Sequence, residues 1–433
     1  MRIVLHVCLC LLAAIGASGQ ALNPLKEALR VEKWLRANRI VRPEGVVWPV
    51  VPGDTSVVTN LYSGTGGVVL FYLELYQATR NESYLAEARS GADYIMTVAD
   101  QRNASFEEAG LYTGEAGNLY VFKKVFEVNH FKKYNEAADR SFQRLSSKAK
   151  ISGKLADWRY NDIVYGGAGI GLMLLQLENR QGLPLAVQTG YGLIDHALPA
   201  AGGNKWYMDT AMVRRKYYMP NFSHGTAGVG YFLARLYQET GRQEFLDGAL
   251  NAANHLKTIS NEDGWICHHD AEDGKDLFYI SWCHGPAGTV RLYYQLYQIT
   301  KEESWKELII KSAAALMKCG IPEKRLPGYW DNVSVCCGTA GVAAFFLDLY
   351  QVFGNKEYLD FSYEMTADVL KRGTPDGQGV KWTQAEHRRR PELQQAQTGM
   401  MQGASGIGLW MLRLHAIEKK KNRLVRMPDD PFK

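Results

Sequence analysis

The sequence of 433 residues has little of what marks a membrane protein or a nucleic-acid-binding protein. Beyond residue 15 it contains no long apolar run, so we expect no stable membrane span. Lysine and arginine number 50 against 45 aspartates and glutamates, a basic excess well below that of a nucleic-acid-binding surface. We therefore expect no nucleic-acid partner. Two basic clusters, Arg388–Arg390 and Lys419–Lys421, are interpreted as solvated surface.

The one long apolar stretch lies at the N-terminus. Arg2 is followed by apolar residues from Ile3 to Ile15 and then by small residues from Gly16 to Gly19. This order is typical of a secretory signal peptide at residues 1–19, cleaved near Gly19. It predicts a secreted or periplasmic protein whose mature domain spans residues 20–433. An uncleaved anchor and a buried first helix are the alternatives.

Cysteine is scarce, and two of the seven cysteines lie in the predicted signal peptide. The other five are Cys267, Cys283, Cys319, Cys336 and Cys337. An odd number does not suit an exported protein held together only by disulfides, so some of these thiols are expected to serve another purpose. Cys267 and Cys319 fit either a disulfide or two buried thiols.

Glycine is abundant, and its spacing is the strongest signal in the sequence. A Gly-x-x-Gly motif recurs at intervals of 50 to 65 residues, each time at the start of an apolar stretch. The seven motifs are Gly64/Gly67, Gly114/Gly117, Gly166/Gly169, Gly225/Gly228, Gly285/Gly288, Gly338/Gly341 and Gly403/Gly406. An aromatic residue follows most second glycines after nine residues, and turn residues such as Gly241-Arg242 come next. A fixed period of this length indicates a repeat architecture.

Each repeat predicts a hairpin of two helices. The glycines begin a helix where another part of the chain approaches closely, and that helix is apolar nearly all round, as in Val68–Leu73. The second helix is amphipathic, with Leu85, Ala88 and Ala92 on one stripe and Glu87 off it. Seven such hairpins predict an all-α fold, an (α/α)7 toroid of inner and outer helices. The segment around Leu25 to Arg36 is expected to supply the last outer helix.

In such a ring the inner helices start on one face, where their N-termini favour anions and thiolates. The polar and sulfur-bearing residues that precede the motifs should therefore meet there. They are Asp162, His224, Cys283, His284, Cys336 and Cys337. The alternative interpretation makes Asp162 and His224 helix caps.

Three cysteines on two adjacent helix starts suit zinc, which binds thiolates tetrahedrally and keeps one position open at catalytic sites. Cys336 and Cys337 are neighbours in sequence and can hardly pair with each other without strain. We therefore predict Zn²⁺ bound by Cys283, Cys336 and Cys337. The alternatives are buried structural cysteines or a disulfide from Cys283 to one of the pair.

These motifs resemble those of the LanC family, the lanthionine synthetase C-like proteins. The most specific matches are Trp282-Cys283-His284-Gly285, Asn221-Phe222-Ser223-His224-Gly225 and Asn161-Asp162 before Gly166. The resemblance implies an (α/α)7 toroid with a central zinc. It also implies addition of a cysteine or glutathione thiol to dehydroalanine or dehydrobutyrine, which gives a thioether.

The resemblance assigns roles by position. Cys283 and Cys336 match the two zinc cysteines of the family, and Cys337 takes the place of a histidine ligand. His224 and Asp162 match polar residues near the metal and are assigned to catalysis. His284 and Tyr279 are assigned to substrate binding, with Tyr279 in the place of an arginine of the bacterial cyclases.

The implied partners are a peptide or a small, glutathione-like thiol, with a separate dehydratase needed to make dehydroamino acids. A zinc-dependent thiol or peptide binder without turnover is one alternative. A carbohydrate-active toroid is another. Glycoside hydrolysis needs a pair of carboxylates, and the sequence offers only Asp331 and Glu115 as weak candidates for a second carboxylate beside Asp162. The long segment from Gly190 to Pro220 is interpreted either as a rim of the cavity or as a surface loop.

Overall fold

The computed structural model describes residues 22–55, 57–101, 109–209 and 218–432. The predicted signal peptide at residues 1–19 lies outside the described residues. The described part contains fourteen α-helices and five two-stranded antiparallel hairpins. None of these helices combines the length and apolar character needed to cross a bilayer.

The inner helices all begin within a Gly-x-x-Gly motif. They are α2 (Thr65–Thr79), α4 (Glu115–Asn129), α6 (Gly167–Leu174), α8 (Thr226–Thr240), α10 (Pro286–Thr300), α12 (Thr339–Phe353) and α14 (Ala404–Glu418). Each contacts the next around the circle, and α14 returns to α2. This closed ring confirms the predicted (α/α)7 toroid.

The outer helices pack against the inner ones, mostly in chain order. They are α1 (Pro24–Ala37), α3 (Glu82–Gln101), α5 (Lys132–Lys148), α7 (Leu183–Asp195), α9 (Gln243–Thr258), α11 (Glu303–Lys318) and α13 (Lys356–Lys371). The exception is α1, which packs on α14 and completes the last pair, as predicted from its amphipathic sequence. Glu87 was expected to point away from the core but is buried, because its carboxylate accepts a hydrogen bond from Arg36 of α1 at 3.1 Å.

The short strands follow the outer helices. They are β1 (Ile40–Arg42), β2 (Gly45–Val47), β3 (Lys150–Ser152), β4 (Leu155–Asp157), β5 (Leu198–Ala200), β6 (Gly203–Lys205), β7 (Thr374–Asp376), β8 (Gly379–Lys381), β9 (Thr383–Ala385) and β10 (Gln394–Ala396). The predicted insertion was given the wrong first residue. Gly190 lies inside α7, which continues to Asp195, and the β5–β6 hairpin follows that helix. Trp206 after it is fully buried, and Arg214, Arg215 and Tyr217 lie outside the described residues.

The motif glycines are required by close approach rather than by backbone angle. A Cβ atom at Gly288 would lie 2.0 Å from the carbonyl oxygen of Trp282, six residues earlier. The second glycine of each of the other motifs meets the equivalent carbonyl at 1.8 to 2.5 Å. The chain before each inner helix thus folds back onto the helix start, where a side chain has no room.

This return of the chain builds a closed circle of backbone hydrogen bonds, which we call the inter-repeat ring. Its members lie two residues before the first glycine of each motif, with Ile163 added in the third repeat. In order, Tyr62 N donates to Tyr112 O, Tyr112 N to Val164 O, Ile163 N to Ser223 O, Ser223 N to Cys283 O, Cys283 N to Cys336 O, Cys336 N to Met401 O, and Met401 N to Tyr62 O, at 2.8 to 3.2 Å. The ring fixes the seven helix starts relative to one another.

Candidate metal centre and catalytic dyad

Cys283 and Cys336 are consecutive members of the inter-repeat ring, and Cys337 follows directly. Their sulfur atoms all lie within 4.8 Å of one another, with Cys283 Sγ 3.2 Å and Cys336 Sγ 3.5 Å from Cys337 Sγ. These separations exclude a disulfide, whose sulfurs are about 2.05 Å apart, and are a few tenths of an ångström shorter than the roughly 3.8 Å expected around zinc. All five cysteines of the described chain are free, Cys267 and Cys319 included.

Two polar side chains complete the surroundings of the sulfurs. Tyr62 donates its hydroxyl to Cys336 Sγ at 3.3 Å, and Gln402 donates its amide to Cys337 Sγ at 3.4 Å. Gln402 also donates to the Tyr62 oxygen at 3.2 Å. Donors aimed at sulfur are what a thiolate cluster requires, because they orient the ligands and stabilise their negative charge.

The three thiols differ in acidity. Hydrogen bonds from Cys283 and Cys336 lower the pKa of Cys337 well below its usual value, and Gln402 and the nearby His224 act in the same direction. Burial raises the pKa of Cys283 and Cys336. The expected acidification of all the thiols by the helix starts is therefore not found: only the pKa of Cys337 is lowered, and its causes are the neighbouring thiols, Gln402 and His224. A buried cluster of soft donors around one thiolate fits a zinc ion, which also supplies the charge that would ionise the other two.

His224 lines the same cavity and forms a dyad with Asp162. The two side chains share a hydrogen bond of 2.6 Å between His224 Nδ1 and Asp162 Oδ2, and the other Asp162 oxygen accepts from the backbone N–H of Tyr165 at 3.0 Å. Asp162 is fully buried, whereas His224 keeps 21% of its side chain exposed. Burial raises the pKa of Asp162, and the His224 hydrogen bond opposes that rise.

His284 and Tyr279 lie in the cavity wall together with a histidine that the sequence did not single out. The ring of His268 stacks on Tyr279 at 4.3 Å between centroids and meets the edge of His284 at 4.4 Å. Burial, followed by the positive charges of His269 and Arg388, lowers the pKa of His268 to about 3. This wall is therefore a neutral, aromatic surface at physiological pH.

The mouth of the cavity is basic, which the interpretation of the arginine cluster as solvated surface did not include. Arg388, Arg389 and Arg390 line the cavity, whose volume is about 540 Å³. Arg389 and Arg390 are exposed, as predicted, whereas Arg388 is half-buried. Arg389 forms an ion pair with Asp273 across the mouth. Arg388 is hydrogen-bonded to Tyr279, and its buried Nε atom has no partner among the described residues. The second basic cluster, Lys419–Lys421, is exposed as predicted.

The carboxylates proposed for a carbohydrate-active site do not gather in the cavity. Glu115 is paired with Arg144 at 2.8 Å, and Asp331 with Arg372. Of the described acidic side chains, only Asp273 and Glu386 line the cavity directly, and Asp273 is engaged by Arg389. The described geometry therefore lacks the free carboxylate pair that glycoside hydrolysis requires.

Tyr62 and Gln402 could have been found from the sequence. When the seven repeats are aligned on the first glycine of each motif, two positions stand out. The position two residues before that glycine contains Tyr62, Cys283 and Cys336. The position one residue before that glycine contains His224, His284, Cys337 and Gln402. His268 and Arg388 carry no such signal, because they lie in loops between an outer helix and the next motif.

Comparison with known proteins places the chain. A family model described as "Lanthionine synthetase C-like protein" matches residues 55–427. A protein of Danio rerio named "Glutathione S-transferase LANCL1" is 22% identical over 309 residues, which cover 69% of this chain and 71% of the relative.

Among solved structures, "Nisin cyclase" superposes with a TM-score of 0.66 at 15% identity, covering 94% of this chain and 96% of that chain. An α-1,6-mannanase of Salegentibacter sp. HEL1_6 shares only the toroid, with a TM-score of 0.51 at 13% identity and coverage of 91% and 99%. The family match extends over most of the chain and includes every motif that carries the cysteines and the dyad. The chain therefore belongs to the lanthionine synthetase C-like family.

Proposed function

We propose that this chain is a zinc-dependent enzyme that adds a thiol to the double bond of a dehydroamino acid and so forms a thioether. The observation that carries the proposal is the arrangement of one cavity, which contains a three-cysteine donor set together with a histidine–aspartate dyad. The relatives named for nisin cyclization and glutathione transfer support the same class of reaction.

Cys283, Cys336 and Cys337 would hold the metal, with one coordination position left for a substrate. Bound there, zinc would supply a lowered pKa for a substrate thiol and a fixed place for its sulfur. Tyr62 and Gln402 would keep the cysteine sulfurs oriented through the hydrogen bonds they already donate.

The dyad would handle the proton. In the addition, the substrate sulfur forms a bond to the β-carbon, and the π-electron pair of the double bond moves towards the carbonyl oxygen as an enolate. An imidazolium at His224 then gives a proton to the α-carbon, and the proton that the substrate thiol released on ionising restores the imidazolium, so the net result is addition of S–H across the double bond. Asp162, hydrogen-bonded to Nδ1, fixes the orientation of the ring and directs its other nitrogen as the proton donor.

The basic mouth favours an anionic thiol. Arg388 and Arg390 lie at the entrance without a carboxylate ion-pair partner among the described residues, whereas Arg389 is paired with Asp273. A glutathione-like thiol or an acidic peptide carries the carboxylates that guanidinium groups bind best. We propose that one substrate is of this kind and that the dehydroamino acid is made beforehand by a separate dehydratase. The predicted export places both substrates outside the cytoplasm.

The test mixes the zinc-loaded protein with a dehydroalanine-containing peptide and glutathione, and follows the thioether by mass spectrometry. His224→Asn should lower kcat by about 100-fold or more, the usual contribution of a general acid. His130→Asn is the matched control, because His130 is an exposed histidine at a helix C-terminus, and it should leave the rate unchanged.

The competing interpretation is a zinc-dependent thiol binder without turnover. Calorimetry with glutathione alone measures binding independently of the rate. Binding of glutathione together with a rate no greater than that of the zinc-free protein would establish the binder and overturn the proposed activity.

A further inference from the structure

The chain does not end at the last inner helix. Residues 419–432, here called the C-terminal tail, turn back and enter the interior of the toroid. The backbone N–H groups of Leu424 and Val425 donate to the Glu74 carboxylate at 3.0 and 2.7 Å, and Tyr120 donates its hydroxyl to the Arg426 carbonyl at 2.5 Å. The tail is thus anchored to α2 and α4.

The tail lies on the opposite side of the inter-repeat ring from the metal centre. Trp282 and Met401 line a second cavity of about 140 Å³ together with the tail. Their sequence neighbours Cys283 and Gln402 line the first cavity. One layer of backbone therefore separates the tail from the cysteines.

Asp429 is the most highly connected residue of the tail. It is 1% exposed, and its carboxylate accepts from Tyr112 Oη at 2.9 Å, from Trp282 Nε1 at 3.1 Å and from Arg291 Nη1 at 3.4 Å. The backbone carbonyl of Asp429 accepts a further bond from Arg291 at 2.7 Å. A buried carboxylate with three side-chain donors is held in one place, and it holds those donors in return.

Two of these donors belong to the turns that build the metal centre. Trp282 directly precedes Cys283, and its indole is packed against the rings of Tyr112 and Phe222 at 5.3 and 5.8 Å. The carbonyl of Tyr112 accepts the ring bond from Tyr62, whose hydroxyl donates to Cys336. Asp429 therefore contacts the supports of two cysteines without contacting either cysteine.

We infer that Asp429 is a positioning residue for the cysteine site, acting through the Trp282 indole to hold Cys283 in place. Docking of the tail and binding of zinc are then coupled, and each strengthens the other to the same extent. The coupling between the tail and zinc rests on the proposed zinc site. The holding of Cys283 by Asp429 through Trp282 does not depend on metal.

The first experiment uses the full chain stripped of metal and measures alkylation of individual cysteines by mass spectrometry. Asp429→Asn keeps the shape of the side chain but removes one acceptor. It should raise the labelling rate of Cys283 relative to Cys319 by about fivefold, the equivalent of one net buried hydrogen bond. Cys319 is a half-buried thiol on the far end of α11, so general loosening would raise both rates together.

Trp282→Phe tests the route, because it retains a buried ring and removes the N–H group that Asp429 accepts from. If Asp429 acts through the indole, the double variant should label no faster than the single ones. Asp430→Asn is the control within the tail, since Asp430 pairs with Arg423 at 3.3 Å and has no hydrogen bond to Trp282 or Tyr112. Equal Cys283 labelling ratios in Asp429→Asn and wild-type protein would overturn the inference.

The second experiment titrates zinc against a chelator. Asp429→Asn should weaken zinc binding by about tenfold, as residues that support metal ligands commonly do. Unchanged affinity in a protein that binds zinc would overturn the coupling while leaving the proposed function intact. Failure of the wild-type chain to bind zinc would overturn the proposed function, and the alkylation ratio would still decide the role of Asp429.

Discussion

Gly288→Ala should damage the metal centre although the substitution adds only one methyl group. The new Cβ would lie 2.0 Å from the Trp282 carbonyl oxygen and 2.7 Å from the Phe222 Cβ atom. Carbon atoms do not approach oxygen much closer than about 3 Å, so the backbone at Trp282 must move by about 1 Å.

The size of the effect follows from what that movement breaks. Overpacking in a rigid core costs about 1–3 kcal/mol. A shift of Trp282 also strains the two ring bonds of the next residue, Ser223 N to Cys283 O at 2.9 Å and Cys283 N to Cys336 O at 3.0 Å. Each contributes about 1 kcal/mol net. The total is about 3–5 kcal/mol, which should appear as a melting temperature several degrees lower and as weaker zinc binding.

The assay is a thermal scan at fixed rate together with a zinc–chelator titration. Gly248→Ala is the matched control, because Gly248 lies inside α9 and the one close contact of its Cβ would be the flexible end of Leu233 at 2.9 Å. There the helix propensity of alanine offsets the contact, so stability should change little. If Gly288→Ala and Gly248→Ala behave alike in both assays, close approach is not the reason for the motif glycines.

Three further outcomes are expected. Arg388→Gln should raise KM for glutathione by about tenfold, because one charge-assisted hydrogen bond is lost. The KM for uncharged 2-mercaptoethanol should stay the same. Equal effects on both thiols would exclude a contact between Arg388 and a substrate carboxylate. His268 has a pKa of about 3 in the folded protein and about 6.5 when unfolded, so the unfolded state takes up the proton first as the pH falls. The free energy of unfolding should therefore decrease below pH 6.5, by about 2 kcal/mol at pH 5. His268→Gln should lose less over that range in acid denaturation, and an unchanged pH profile would refute this origin. A chelator should lower the melting temperature of the wild-type protein but not of Cys337→Ala, because a metal that binds only the folded state stabilises it.

Much of the fold was predictable because the glycine motifs report a local requirement that recurs in every repeat. Each second glycine meets a carbonyl six residues earlier, so the sequence period and the structural period are the same. The closing role of α1 was also predictable, since an amphipathic helix without a partner must cover the one inner helix that the chain leaves open. The third repeat departed in sequence, and its inner helix α6 indeed ends early, at Leu174.

The cysteines and the dyad were predictable for the same reason, because they precede motif glycines. Arg388 and His268 were not, since they reach the cavity from irregular loops whose course depends on tertiary packing. A run of three arginines has the same composition on an open surface and at a cavity mouth. The tail was missed because its anchors, Glu74 and Arg291, are polar residues on inner helices that the hydrophobic pattern treats as exceptions.

Elemental analysis of the purified chain is the most direct test of the proposed thiolate zinc site at Cys283, Cys336 and Cys337. Wild-type protein should contain about one zinc per chain, Cys337→Ala should lose most of it, and Cys319→Ala, which changes a thiol remote from the cavity, should keep it. Negligible zinc in metal-replete wild-type protein, or full zinc content in Cys337→Ala, would contradict the account.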